Sequence, residues 1–245
     1  MFHTFLYQPL FNALVFLYEY VTFQDVGLAI IVLTLVIRLI LYPLFYKSFH
    51  NQTVLQKLQP EIKRIQSSNK GNKEKQAQEL LALYKENKVN PFSSFLVILV
   101  QLPILFALYR VFLNGFSPDA FVDLYSFLEA PVATSNTFLG LIDLAKSNIL
   151  IVALAALAQY FQGRLALGRQ GVKTGEESTA QRLGKNMMYI GPGITVVLLY
   201  TLPSAIGLYW LTTSAFSIVQ QVLINRSLAK KNNNEQPQGT NTTTT

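Results

Sequence analysis

Arg38 is the residue of this chain with the least ordinary address, inside the apolar run VGLAIIVLTLVIRLILYPLFY of residues Val26–Tyr46. A run of that length can cross a hydrocarbon core, which takes about 20 apolar residues. A guanidinium at mid-bilayer costs at least about 2.5–3.5 kcal/mol. Snorkelling covers only part of the distance to water, because Lys47, the charged end of the run, stands about 13 Å further along a helix. Within the apolar runs as drawn below there is no Asp or Glu. That argues against a proton relay or an ion-coupled carrier, which would use intramembrane acids. It leaves Arg38 facing water or a polar partner, a free donor for something that arrives.

A second polar set lies near the C-terminus. At 100° per residue, Trp210, Thr213, Ser214, Ser217, Gln220 and Gln221 share one helix face about 120° wide. Singly, such Ser, Thr and Gln side chains hydrogen-bond helix to helix in membranes. As a whole stripe accompanying a lone arginine they predict a polar cavity, which Gln101, Gln159 and Gln162 could also line. Arg110 falls on the face opposite Gln101, near the end of its run, and is expected to snorkel. Catalysis has little to stand on. The chain has two histidines, His3 and His50, no cysteine, no HExxH and no phosphate-cradling glycine loop. No enzyme activity, metal or cofactor is expected.

The elements that must position these residues follow from composition. The chain of 245 residues is 51% hydrophobic and 13% charged, and about 25% charged is usual for soluble domains. The apolar residues come in five blocks: Val26–Tyr46, Phe92–Leu113, Ser147–Gln162, Asn186–Thr201 and Ser204–Ile224. The third and fourth blocks are short, about 24 Å as helix against a core of about 30 Å, and would thin the bilayer locally. Residues 1–20 lack a basic leader and a small-residue cleavage site, so a signal peptide is not expected. Pro9 to about Val21, with Gln8, Asn12 and Glu19 on one side, reads as an amphipathic helix lying in the interface.

Seventeen of the 20 basic residues lie in Lys47–Lys88, Arg164–Lys185 and Arg226–Lys231. The alternate loops carry Glu19, Asp25, Asp119, Asp123, Glu129 and Asp143. The positive-inside rule then sets the N-terminus outside and the C-terminus in the cytoplasm. Apolar spacing in Leu55, Leu58, Ile62, Ile65 and in Ala77, Leu80, Tyr84, across the turn Asn69–Asn72, predicts a basic cytoplasmic helical hairpin. The fold class is therefore all-α, a polytopic membrane protein with five transmembrane helices. Residues 1–25 form the outer interfacial helix, 26–49 the first span, 50–90 the hairpin, 91–231 spans two to five and 232–245 a disordered tail.

The stretches GLAIIVLTLVIRLILYPLFYKSFHNQTVLQKLQPEIKRIQ, LYKENKVNPFSSFLVILVQLPILFALYRVF and LYWLTTSAFSIVQQVLINR resemble the YidC/Oxa/Alb family of membrane protein insertases, from about Leu10 to Ser227. The resemblance implies a five-helix core with a hydrophilic groove open to cytoplasm and lipid and closed to the outside. It implies that Arg38 and Trp210 lie in that groove and that clients meet mainly the third and fifth spans. The form resembles a minimal bacterial member, without the large extracytoplasmic domain of Gram-negative ones.

The expected function is insertion and folding of membrane proteins at the bacterial plasma (inner) membrane by a monomer. Arg38, Gln101, Gln159, Gln162, Trp210, Thr213, Ser217 and Gln220 form the client-binding groove. Expected partners are nascent membrane proteins, lipids, the ribosome and targeting factors met by the basic hairpin and tail, and a Sec translocon as a neighbour. The rival readings are a small-anion channel or carrier using Arg38, and a structural partner of a translocon.

Overall fold

The structure, a computed structural model, describes residues 1–114, 119–131, 136–167 and 179–235. Its α-helices are α1 Gln8–Tyr20, α2 Val26–Ile40, α3 Tyr42–Lys57, α4 Gln59–Ser68, α5 Lys73–Glu86, α6 Ser93–Asn114, α7 Ile149–Leu167, α8 Thr179–Thr201 and α9 Ser204–Glu235. A π-helical turn, His3–Tyr7, precedes them; a 3-10 turn, Ala120–Asp123, and an antiparallel ribbon, β1 Thr137–Phe138 with β2 Ile142–Asp143, lie between α6 and α7. Arg169 and Lys173 of the second basic loop, and 236–245 of the expected disordered tail, fall outside the described residues.

Helices α1, α2, α6 and α9 share one core, in which Phe11, Val15, Ile30, Leu108, Val111 and Leu208 are buried. A second cluster, Val152, Ala155, Leu199 and Ile206, holds α7 to α8 and α9. The α7–α9 contact is close: a Cβ added at Gly207 would come within 2.7 Å of Ile151 Cγ2. Outward faces are apolar as well, with Leu99, Phe106, Leu157, Val197 and Leu223 each at least half exposed. Such a surface suits lipid, where helices associate by close packing and hydrogen bonds because acyl chains are as apolar as the side chains.

Length and apolarity enough to cross a membrane are met, among the described residues, by Phe95–Leu113 of α6 and by α2 with α3 taken as one bent pair. The run Val26–Tyr46, expected as one helix, is broken: α2 and α3 meet at 69° around Leu41. Pro43 has no N–H for the Leu39 carbonyl, and its ring disfavours helical backbone at Tyr42. Arg38 therefore occupies the last turn of α2, beside the break in the pair.

Three further boundaries differ from expectation. Helices α7 and α8 run beyond the 16-residue apolar blocks, to 19 and 23 residues, since backbone hydrogen bonding does not stop where the side chains turn polar. Their apolar parts stay short, Ile149–Leu165 and Tyr189–Thr201. Helix α9 continues to Glu235, four residues into the stretch expected to be disordered. The polar side of α1 is not its wet side: Asn12 is 2% exposed while Phe16 and Tyr20 are the exposed residues. Asn12 Nδ2 donates to the Asp123 carbonyl at 2.9 Å and its Oδ1 accepts from Tyr125 N at 2.7 Å. A loop backbone, and not water, satisfies that amide.

The expected hairpin is α4 and α5. Pro60 opens α4, where its missing N–H is harmless, and Asn72 caps α5 by accepting from Lys75 N. Leu58, Ile62, Leu83 and Val89 close its small core.

Candidate functional site

The break after Ile40 creates the surroundings of Arg38. A guanidinium in the last turn of a helix meets the negative end of its dipole, which favours a cation. Phe45, seven residues on, would lie about 10.5 Å along a straight helix, and helical side chains lean back towards the N-terminus. The bend instead sets the Arg38 guanidinium carbon 4.1 Å from the centre of the Phe45 ring, a cation–π contact. Both residues are buried, Arg38 at 5% exposure. Arg38 Nη1 has no hydrogen-bond partner, and no carboxylate pairs with it among the described residues.

From Arg38 a polar seam runs along α9 towards the α4–α5 end. Tyr209 lies within electrostatic reach of the guanidinium, and its hydroxyl accepts a hydrogen bond from Gln101 of α6. Thr213 sits beside that hydroxyl, yet its own oxygen is buried without hydrogen-bonding geometry. One turn on, Ser217 is buried and donates to the Thr213 carbonyl at 2.9 Å. Gln220 reaches the Tyr42 carbonyl beside the break at 3.5 Å. Gln221 donates to Thr53 Oγ1 and Asn225 Oδ1, both at 3.0 Å, tying α9 to α3. Gln220 Oε1 and Gln221 Oε1 are buried acceptors without donors. Most buried polar groups in proteins are paired, so one unpartnered cationic donor and three unpartnered oxygens along one seam form an unusual concentration.

Of the expected site residues, Arg38, Gln101, Thr213, Ser217 and Gln220 come together along this seam. The others do not. Gln159 accepts from Thr195 and joins α7 to α8. Trp210 packs on the apolar cluster of Val152, Ala155, Leu199 and Ile206. Gln162 is half-buried near the end of α7, with no contact to the seam among the described residues. The expected open groove is also closed at Arg38, whose small exposure leaves little room for solvent. Tyr209 and Phe45 are seam residues that the sequence pattern did not single out. Tyr209 carried a signal, for at 100° per residue it falls about 20° from Gln220, on the edge of the polar stripe. Phe45 carried none, because its contact needs the bend.

The other end of the helices is sealed by loop contacts. Asp25 caps α2 by accepting from Leu28 N at 2.7 Å, and its second oxygen accepts from Leu139 N at 2.5 Å. Phe138 packs directly against Gly27, where a Cβ would come within 2.2 Å of the ring. Ser204 N and Oγ both donate to the Lys146 carbonyl, and Ala205 N to that of Leu144, anchoring the start of α9. The Lys146 ammonium, 3.1 Å from Asp143, and the Ala145 N–H hold that exposed carboxyl below its ordinary value.

A family described as 60Kd inner membrane protein matches residues 16–232 of this sequence. A Fusobacterium nucleatum protein named membrane protein insertase YidC is 35% identical over 199 residues, 81% of this chain and 85% of that one. The chain belongs to the YidC family of membrane protein insertases. A YidC from Syntrophobacter fumaroxidans is 32% identical over 91% of this chain, which spans 38% of that relative's length. A crystallised active YidC insertase with its first transmembrane domain resolved superposes with a TM-score of 0.56 at 29% identity. That match covers 89% of this chain and 46% of the crystallised one. The family is one of the bacterial inner membrane, consistent with the apolar outer faces of the helices.

Proposed function

We propose that this chain inserts membrane proteins and helps them fold, with Arg38 receiving the polar segment of the client. The observation that carries the reading is the Arg38 guanidinium, buried with Nη1 unpartnered, at the head of a seam whose other unpartnered atoms are the oxygens of Thr213, Gln220 and Gln221. An entering peptide brings both carbonyl acceptors and N–H donors, so it can satisfy both kinds of orphan. A small anion could satisfy only the cation, which disfavours a channel or carrier. A client tail with acidic residues gains most, through charge-assisted hydrogen bonds to the guanidinium.

In this reading the bent pair α2–α3 is the first span, followed by α6, α7, α8 and α9, with the N-terminus outside and the hairpin in the cytoplasm. Helix α9 packs chiefly on α7 and α2 and only lightly on α6, so parting Gln101 from Tyr209 opens the seam with little packing lost. The client's polar segment then crosses a shortened dry path, where each unsatisfied peptide group would otherwise cost several kcal/mol. Its apolar segment leaves to lipid under its own transfer free energy, so no nucleotide is consumed. The basic hairpin faces the ribosome and targeting factors, and a Sec translocon is compatible as a neighbour.

The test is insertion of a single-span client with an acidic outer tail into proteoliposomes containing this chain alone, read by protease protection of the tail. Arg38→Ala should reduce insertion to the protein-free background. Arg38→Lys should retain part of it, since a point charge replaces a planar fork. Wild-type insertion by Arg38→Ala would remove the guanidinium from the mechanism.

A further inference from the structure

The two tight turns beside the start of α2 put bulky apolar residues where they are hardest to hold. Phe23 has φ 53° and is 93% exposed; Leu139 has φ 51° and is 58% exposed; Leu141 is 86% exposed. Left-handed backbone is unfavourable for bulky L-residues and persists only where the surroundings over-determine it. They do so here. Val21 N, Thr22 N and Thr22 Oγ1 all donate to the Leu17 carbonyl, Gln24 N to that of Tyr18, and Asp25 N to that of Thr22. In the second turn Leu141 N donates to the Phe138 carbonyl, while Leu139 N is held by Asp25. A single carboxylate thus joins the two turns, and the core uses neither the Phe23 ring nor the Leu141 side chain.

Helix α2 is 15 residues long, about 22 Å, which falls roughly 8 Å short of a 30 Å hydrocarbon core. Helix α3 leaves at 69°, so its apolar start, Tyr42–Tyr46 before Lys47, adds only about 3 Å along that direction. At the α3 end, Leu39 and Ile40 are 61% and 71% exposed. Phe23, Leu139 and Leu141 are exposed apolar residues at the other end.

We propose that the turns at Phe23 and Leu139–Leu141 form a two-pronged lipid anchor, seated at the boundary of headgroups and acyl chains in the leaflet facing the 119–148 loop. It completes the apolar length that α2 lacks. Lipid is the occupant that fits, because the prongs continue a helix whose own apolar length stops short of the hydrocarbon edge. The inference rests on the reading of α2 as part of a span.

The native chain has no cysteine, so single cysteines carry a nitroxide at one position each. Phe23→Cys and Leu141→Cys are compared with Leu99→Cys on α6 and with Lys146→Cys, whose side chain is 82% exposed beside the ribbon. The full chain is placed in phosphatidylcholine–phosphatidylglycerol vesicles. Collision with lipid-soluble oxygen and with a water-soluble nickel chelate is then measured. At positions 23 and 141 the oxygen-to-nickel ratio should exceed that at 146 by about threefold or more, while staying below that at 99, as expected for an interfacial depth. A ratio equal to that at 146 overturns the anchor. Shielding from both reagents also overturns it, by showing a protein cover such as a second copy. If Leu99→Cys itself favours nickel, the failure lies with the membrane reading and not with the anchor.

Discussion

Two polar regions of this molecule are built alike and finished differently. At the loop end, Asn12 spends both ends of its amide on the 123–125 backbone, and both Asp25 oxygens accept backbone N–H groups. Along the seam of α2, α3 and α9, Arg38, Thr213, Gln220 and Gln221 each keep a buried atom without a partner. Glu19, with a buried unpartnered Oε1, is the exception on the loop side. Satisfied groups hold elements together. Groups left unsatisfied lower stability and persist where a visitor satisfies them.

The contrast between the two regions breaks most easily at Arg38. Arg38→Ala should lower insertion by about tenfold or more, matching the loss of a charge-assisted contact, without lowering thermal stability in detergent. Removing an unpaired buried cation relieves desolvation, which offsets the lost Phe45 contact. Asn12→Ala should do the reverse. It strands the Tyr125 N–H and weakens the hold on the Asp123 carbonyl, so unfolding should become easier by about 1–3 kcal/mol, with insertion per folded molecule unchanged. Gln101→Leu sharpens the contrast. Loss of its bond to Tyr209 should cost stability by about 1 kcal/mol and raise crosslinking from position 38 to a stalled client if that bond shuts the seam. Unchanged crosslinking would locate the opening elsewhere.

The smallest effect concerns the hairpin. Burial raises the Tyr84 phenol above its ordinary value. The unfolded chain therefore ionises first, and hairpin stability is complete below about pH 10 and falls as pH rises further. Amide exchange in α4 and α5 should quicken there in the wild type and less in Tyr84→Phe.

Much of the scaffold is legible in the order of the residues. The hairpin can be read from Leu58, Ile62 and Tyr84 and its turn from Asn69–Asn72, since helix periodicity and turn chemistry are local. The polar stripe on α9 is legible for the same reason, and Tyr209 is within reach of it. Gln159 and Trp210 are polar or amphipathic enough to suggest the same space, but the face a residue occupies does not say which neighbour meets it.

What the chain settles by itself is the residue content of each helix, the alternation of its charges and the lack of any carboxylate in the apolar runs to neutralise Arg38. The tertiary structure alone decides that Pro43 turns the first run through 69°, that Phe45 comes to lie under the guanidinium, and that the polar side of α1 meets a loop and not water. The physical reason is range. A backbone hydrogen bond spans four residues and is written in local sequence, whereas helix pairing between apolar faces is won by shape and a few polar bonds, which appear only once the helices meet.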